Sequence, residues 1–154
     1  MKYEIVELKE KIVEGVEIKT TNQDGKSMQD IGKLWQVFFA EGIYDKIEKK
    51  VNAKTIGLYT GFEGDYNKPY NFVVCAEVSE KSDNLDNRVT KLIPAGKYAK
   101  FTIVGDVQKS VGEAWNQIWN MDLKRRYDCD FEEYQNNTED MSKQEIHIYI
   151  SIEE

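Results

Sequence analysis

The chain has 154 residues, 40% of them apolar, enough for one domain with a buried core. Its 21 Lys and Arg against 28 Asp and Glu leave a formal charge of −7, which repels phosphate backbones and argues against direct nucleic-acid binding. The two cysteines lack C-x-x-C spacing, the N-terminus lacks an apolar signal core, and no run reaches membrane-spanning length, so a reduced, cytoplasmic setting with no metal cluster and no membrane partner is expected.

In chain order, residues 3–8 alternate weakly and continue to Val13, Val16 and Ile18, which predicts an opening strand or hairpin with Gly15 at a bulge or bend. Residues 20–27 form a polar turn. A helix follows, capped by Ser27 or Asp30, with Ile31, Leu34, Trp35, Phe38 and Phe39 on one stripe. Gly42 ends or bends it before a short turn through Ile43, Tyr44 and Ile47. Strands are predicted over residues 55–60 and 70–78, separated by a polar turn over 61–68. Glu63 and Asp65 in that turn lack the further carboxylates a calcium loop needs. Residues 79–87 carry one large apolar residue, Leu85, and read as a linker.

The second half repeats the plan. A strand covers residues 97–104, and a helix runs from Val107 or Ser110 to about Leu123, with Val111, Trp115, Ile118 and Trp119 on one face. The basic run Lys124-Arg125-Arg126 is placed at that helix's end, where positive charge complements the dipole. Strands at residues 129–134 and 145–152 complete the unit, the last placing four isoleucines on one face. Each half thus reads strand–helix–strand–strand, with repeat one over about 1–79 and repeat two over about 93–154 of a single domain. In the overlay Leu58 falls on Phe131 and Tyr59 on Glu132. The expected fold is α+β, a tandem β-α-β-β repeat with pseudo-two-fold symmetry, a mostly antiparallel sheet, two main helices on one face and a concave groove. Combining the alternations, Leu58, Phe131, Ala99, Phe101 and the isoleucines are expected under the helices. Tyr59, Tyr98, Glu132, Tyr134 and Tyr149 are expected on the opposite face, a setting for a flat cation.

Several motifs then resemble one family. Ile93-Pro94-Ala95-Gly96-Lys97-Tyr98-Ala99-Lys100-Phe101 is similar to its "IPAGxYAxF" strand, and Gly32 to Phe38 to its first-helix "lWxxF" pattern. Ala114-Trp115, Ile118-Trp119, Asp130-Phe131-Glu132-Glu133-Tyr134 and residues 145–152 follow in the family's order. These motifs resemble the GyrI-like, bacterial effector-binding, small-molecule-binding domain, in its stand-alone form, across essentially the whole chain. The resemblance implies a groove for hydrophobic or cationic ligands, with the family's groove glutamate at Glu132. The family's usual proline in the last strand is Ser151 here, and no DNA-reading half is apparent, so regulation of transcription is expected through sequestration or a protein partner.

Candidate ligand-binding residues are Glu132, Tyr59, Tyr98, Tyr134, Tyr149, Trp35 and Trp119, although the helical spacing of the two tryptophans also suits core positions. Lys100 is an alternative partner for Glu132 across the sheet. Glu133 and His147 read as surface residues. No cofactor motif, phosphate loop or serine elbow occurs. The leading expectation is binding of amphipathic aromatic cations, as in multidrug-binding relatives. The alternatives are a hydrolase of alkylating molecules using the same glutamate, and a gyrase-inhibitor-like protein-binding module.

Overall fold

The computed structural model describes residues 1–64 and 68–153, so the turn expected over 61–68, with Asp65 in it, falls partly outside the described residues. The elements are β1 (Glu4–Leu8), β2 (Lys11–Thr20), α1 (Lys26–Ala40), α2 (Ile43–Lys46), β3 (Thr55–Thr60), β4 (Tyr70–Val78), β5 (Val89–Ile93), β6 (Gly96–Gly105), α3 (Val107–Trp119), β7 (Asp130–Tyr134) and β8 (Gln144–Ser151). The strands form one antiparallel sheet in the order β1-β6-β8-β7-β3-β4-β2-β5.

Taken from its centre outward, that order is symmetric. β7, β8 and β6 on one side match β3, β4 and β2 on the other, then β1 adds beyond β6 and β5 beyond β2. The leading strand of each half therefore completes the edge of the other half. In the central ladder Leu58 faces Phe131, which places the pseudo-two-fold between them and makes Tyr59 the counterpart of Glu132 and Gly57 that of Asp130. The strand overlay read from the sequence agrees with this register. The helices carry the same duplication more plainly. Ile31-Gly32-Lys33-Leu34-Trp35 and Phe38-Phe39 of α1 match Val111-Gly112-Glu113-Ala114-Trp115 and Ile118-Trp119 of α3.

Each helix covers its own half. Leu34 and Phe38 pack on Phe72, Val74 and Val16, while Ala114 and Ile118 pack on Phe101, Ile146, Ile148 and Ile150. A third cluster, with Leu58, Val73, Phe131, Tyr98 and Tyr149, lies on the reverse face. Val6 and Leu8 from one edge strand and Val89 from the other both reach it, so the sheet curls its two ends over this core.

The central strands present the opposite faces from those expected. Directly paired antiparallel residues point the same way. Glu132 pairs with Ile148, which pairs with Phe101, so the glutamate shares the helix-covered face with the isoleucines. Phe131 pairs with Tyr149 and Leu58, which moves Leu58 and Phe131 to the reverse core with Tyr98. Both faces of the central strands are buried, so alternation alone does not say which phase matches the outer strands.

Earlier segments also differ. β1 and β2 form no hairpin, because β1 pairs with β6. β2 runs unbroken through Gly15, where a Cβ would lie 1.9 Å from the Val74 carbonyl oxygen: the glycine permits close approach rather than a bend. α1 starts after Gly25 in the left-handed region, not at a Ser or Asp cap, whereas Asp106 caps α3 by accepting from the Lys109 N–H at 2.9 Å. The linker over 79–87 is fastened down: Ser82 Oγ and Arg88 Nε donate to fully buried Glu14 at 2.6 and 2.7 Å, and β5 follows at once. Among the described residues no helix is long and apolar enough to cross a membrane.

Candidate functional site

A cavity of about 1020 Å³ opens between α1 and α3 above the central strands β3 and β7. One wall is Met28, Ile31, Trp35 and Phe39 of α1, and the other is Val107, Val111, Trp115 and Trp119 of α3. Gly32 and Gly112, paired by the duplication, also line it, and a Cβ on either would meet nothing within 4 Å. Tyr59, Asp130, Glu132 and Tyr134 form the floor.

Glu132 is 2% exposed and stands at the centre of a three-donor shell. Tyr59 Oη and Trp115 Nε1 each donate to its Oε2 at 2.7 Å, and Tyr134 Oη donates to Oε1 at 2.8 Å. A carboxylate offers about four acceptor directions, so one remains, on Oε1. The carboxyl has room because its ladder partner is Gly57, where a Cβ would come 3.1 Å from Oε1. Burial raises its pKa above the ordinary 4.5, and the three donors pull the other way. Burial and the neighbouring carboxylate push Tyr59 and Tyr134 well above 10, so both phenols keep the protons they donate. None of these donors carries charge, and among the described residues no cation pairs with Glu132. Lys100 instead reaches Glu4 and the Tyr149 ring.

The aromatic walls are braced by rings packed at steep angles. Trp115 lies 5.0 Å from the Tyr59 ring, and Trp35 lies 5.1 Å from Tyr134 at 77°. Trp119 lines the cavity beyond Trp115. Of the sequence candidates, Glu132, Tyr59, Tyr134, Trp35 and Trp119 therefore meet in one cavity. Tyr98 and Tyr149 do not: they sit on the reverse face, where Tyr98 donates to the Pro94 carbonyl and Tyr149 stacks 4.6 Å from Phe131. Glu133 is buried on that side rather than a surface charge, with Gln135 on its Oε1 at 2.9 Å and Lys54 at 3.7 Å, while His147 bonds Glu145 at 2.6 Å.

Three contributors escaped the sequence reading. The spacing puts Trp115 on an apolar face, and its alignment with Trp35 shows only once the helices are superimposed. Asp130 is two residues before Glu132 and hence on its face. Arg125 does not end a helix, since α3 stops at Trp119; its Nη2 donates to Asp130 Oδ2 at 2.6 Å, and both residues line the cavity. Arg126 instead lies 5.4 Å over Tyr98.

The model of the family described as Cass2, integron-associated effector binding protein, matches residues 4–152. YobU of Bacillus subtilis (strain 168), a putative transcriptional regulator protein, is 29% identical over 127 residues, 79% of each chain. The integron cassette protein VCH_CASS2 from the Vibrio cholerae mobile metagenome has a similar structure, with a TM-score of 0.80 at 28% identity over 98% of this chain and 95% of its own. SAV2435, solved bound to tetraphenylphosphonium, shares the fold with a TM-score of 0.82 at 20% identity, over 99% of this chain and 94% of its own.

Proposed function

The chain belongs to the Cass2 family of integron-associated effector binding proteins, and from that premise we propose that it binds amphipathic, aromatic small molecules carrying one positive charge. The observation that carries this reading is Glu132, a buried carboxylate with three neutral donors and, among the described residues, no cation paired with it, on the floor of an open aromatic cavity. An ionised carboxylate at such depth costs several kcal/mol unless compensated, by roughly the order assigned to buried unpaired ions. The donors offset part of that cost. A bound cation offsets more, and does so beside rings whose faces attract positive charge, by roughly 0.5–2 kcal/mol each.

The cavity volume suits a drug-sized ligand, whereas a protein-binding groove would be flatter and filled. The likeness to a fold captured with a lipophilic phosphonium supports the same class of ligand. Titrating wild type and Glu132→Gln with tetraphenylphosphonium tests the reading. A clear loss of affinity in the variant supports the electrostatic role; equal affinity in the two proteins would remove it.

A further inference from the structure

Arg125 adds a second, differently charged feature to the cavity that the cation-binding reading leaves unused. Its side chain is 7% exposed and its partner Asp130 is fully buried. Nη2 donates to Asp130 Oδ2 at 2.6 Å, and Nε is sealed from solvent without an acceptor. Among the described residues nothing accepts from Nη1, and that atom is not among the sealed ones. The guanidinium is held in place: it stacks 4.3 Å over the Tyr127 ring, and its backbone is bridged to Ile152. Asp130 is fixed in turn by the Ser151 N–H at 2.8 Å and the Ser151 hydroxyl at 3.0 Å.

Two consequences follow from charge and spacing. The Asp130 carboxylate neutralises the arginine, so the pair presents donors without repelling a cation at Glu132. Asp130 and Glu132 lie on one face of one strand two residues apart, roughly 7 Å. We propose that Arg125 is an acceptor-binding subsite of the same cavity, and that the preferred ligands are two-ended: an onium centre at Glu132 and a carbonyl or similar uncharged acceptor on the Asp130 side of it, at Arg125. This rests on the cation-binding reading and narrows its ligand class.

The test uses benzyltriphenylphosphonium and its 4-acetyl analogue, which have the same charge and rings and differ by one acceptor. Wild type should bind the acetyl compound about tenfold more tightly, the scale of one hydrogen bond to a charged donor. In Arg125→Gln/Asp130→Asn, which keeps a neutral hydrogen-bonded pair, the ratio of the two affinities should fall to about one. In Glu132→Gln both affinities should drop while the ratio persists. Equal binding of the two probes by wild type, or a preference surviving in the double variant, overturns the subsite. Failure of wild type to bind either probe overturns the cation reading and this inference with it. Should the double variant not fold, nitrogen-15-labelled arginine in wild type still decides. The Arg125 side-chain resonances should shift with the acetyl probe and stay in place with its parent; shifts of equal size with both would refute the proposal.

Discussion

Gly57 stands directly opposite Glu132 in the β3–β7 ladder, and the carboxylate occupies the space a side chain there would fill. A Cβ on Gly57 would lie 2.9 Å from Phe72 Cζ and 3.1 Å from Glu132 Oε1. Phe72 is fully buried, so it has little freedom to yield. Gly57→Ala is expected to cost about 1–3 kcal/mol by overpacking, measured by urea unfolding. It should also weaken cation binding, because the carboxylate that moves away from the new methyl breaks the Tyr134 contact on Oε1.

Substitutions at Glu132 itself separate charge from shape. Glutamine can accept from Trp115 and Tyr59 through its carbonyl and donate its amide to the rotatable Tyr134 hydroxyl, so each of the three keeps a hydrogen bond to residue 132. Leucine leaves the Trp115 N–H buried and unpaired, at about 1–3 kcal/mol. Thermal denaturation should therefore show Glu132→Gln as stable as wild type or more so at neutral pH, and Glu132→Leu clearly less stable.

The pH dependence has a defined sign. Burial raises the folded-state pKa of Glu132 above its unfolded value, so the folded form takes up its proton at higher pH than the unfolded chain. Its contribution to stability is then fully present below the unfolded pKa and is lost as pH rises through the folded one. The stability of wild type relative to Glu132→Gln should fall with rising pH across that window. Affinity for a permanent cation should move the opposite way, declining on acidification before an ordinary carboxylate would titrate. Parallel urea unfolding and tetraphenylphosphonium titrations from pH 4 to 8 check both trends.

How much of this is legible in the sequence differs by level. Most of the strands, the tandem plan and the match of Tyr59 to Glu132 follow from alternation and repeat alone, because they depend on periodicity within each segment. Tyr98 and Tyr149 were misplaced because the central strands are buried on both faces, and only the Glu132–Ile148 register settles which way each ring points. β5 was missed because the chain before it looks like a linker; the ion pair that fastens it, Arg88 to Glu14, joins residues 74 positions apart. The Arg125–Asp130 pair was equally hidden by a plausible local role for a basic run after a helix.

The duplicated helix glycines give a prediction about room. A glycine inside a helix costs roughly 0.5–1 kcal/mol relative to alanine, and neither Gly32 nor Gly112 is required by backbone conformation or by close packing. Both line the cavity, so their service is to the space between the helices. Gly32→Ala and Gly112→Ala should each raise stability by about that amount in urea unfolding. Gly112→Leu should fold as well and lose affinity for bulky cations more than for small ones, as read by titration with tetraphenylphosphonium against tetramethylammonium.

The Glu14–Arg88 pair tests how firmly the two halves are tied. Glu14 is completely buried, and its oxygens are taken by Arg88 and Ser82. Arg88→Met strips the counter-charge and leaves a carboxylate in the core, a change worth about 3–5 kcal/mol. Arg88→Met combined with Glu14→Gln removes both charges while leaving Ser82 a partner, and should recover much of that loss. Melting temperatures of the wild type, the single and the double variant measure the coupling. Because β5 follows Arg88 directly and, among the described residues, pairs only with β2, amide exchange in Val89–Ile93 should quicken in the single variant while β7 and β8 stay protected. Unchanged exchange in β5 would mean that its ladder to β2, rather than the ion pair, holds that edge.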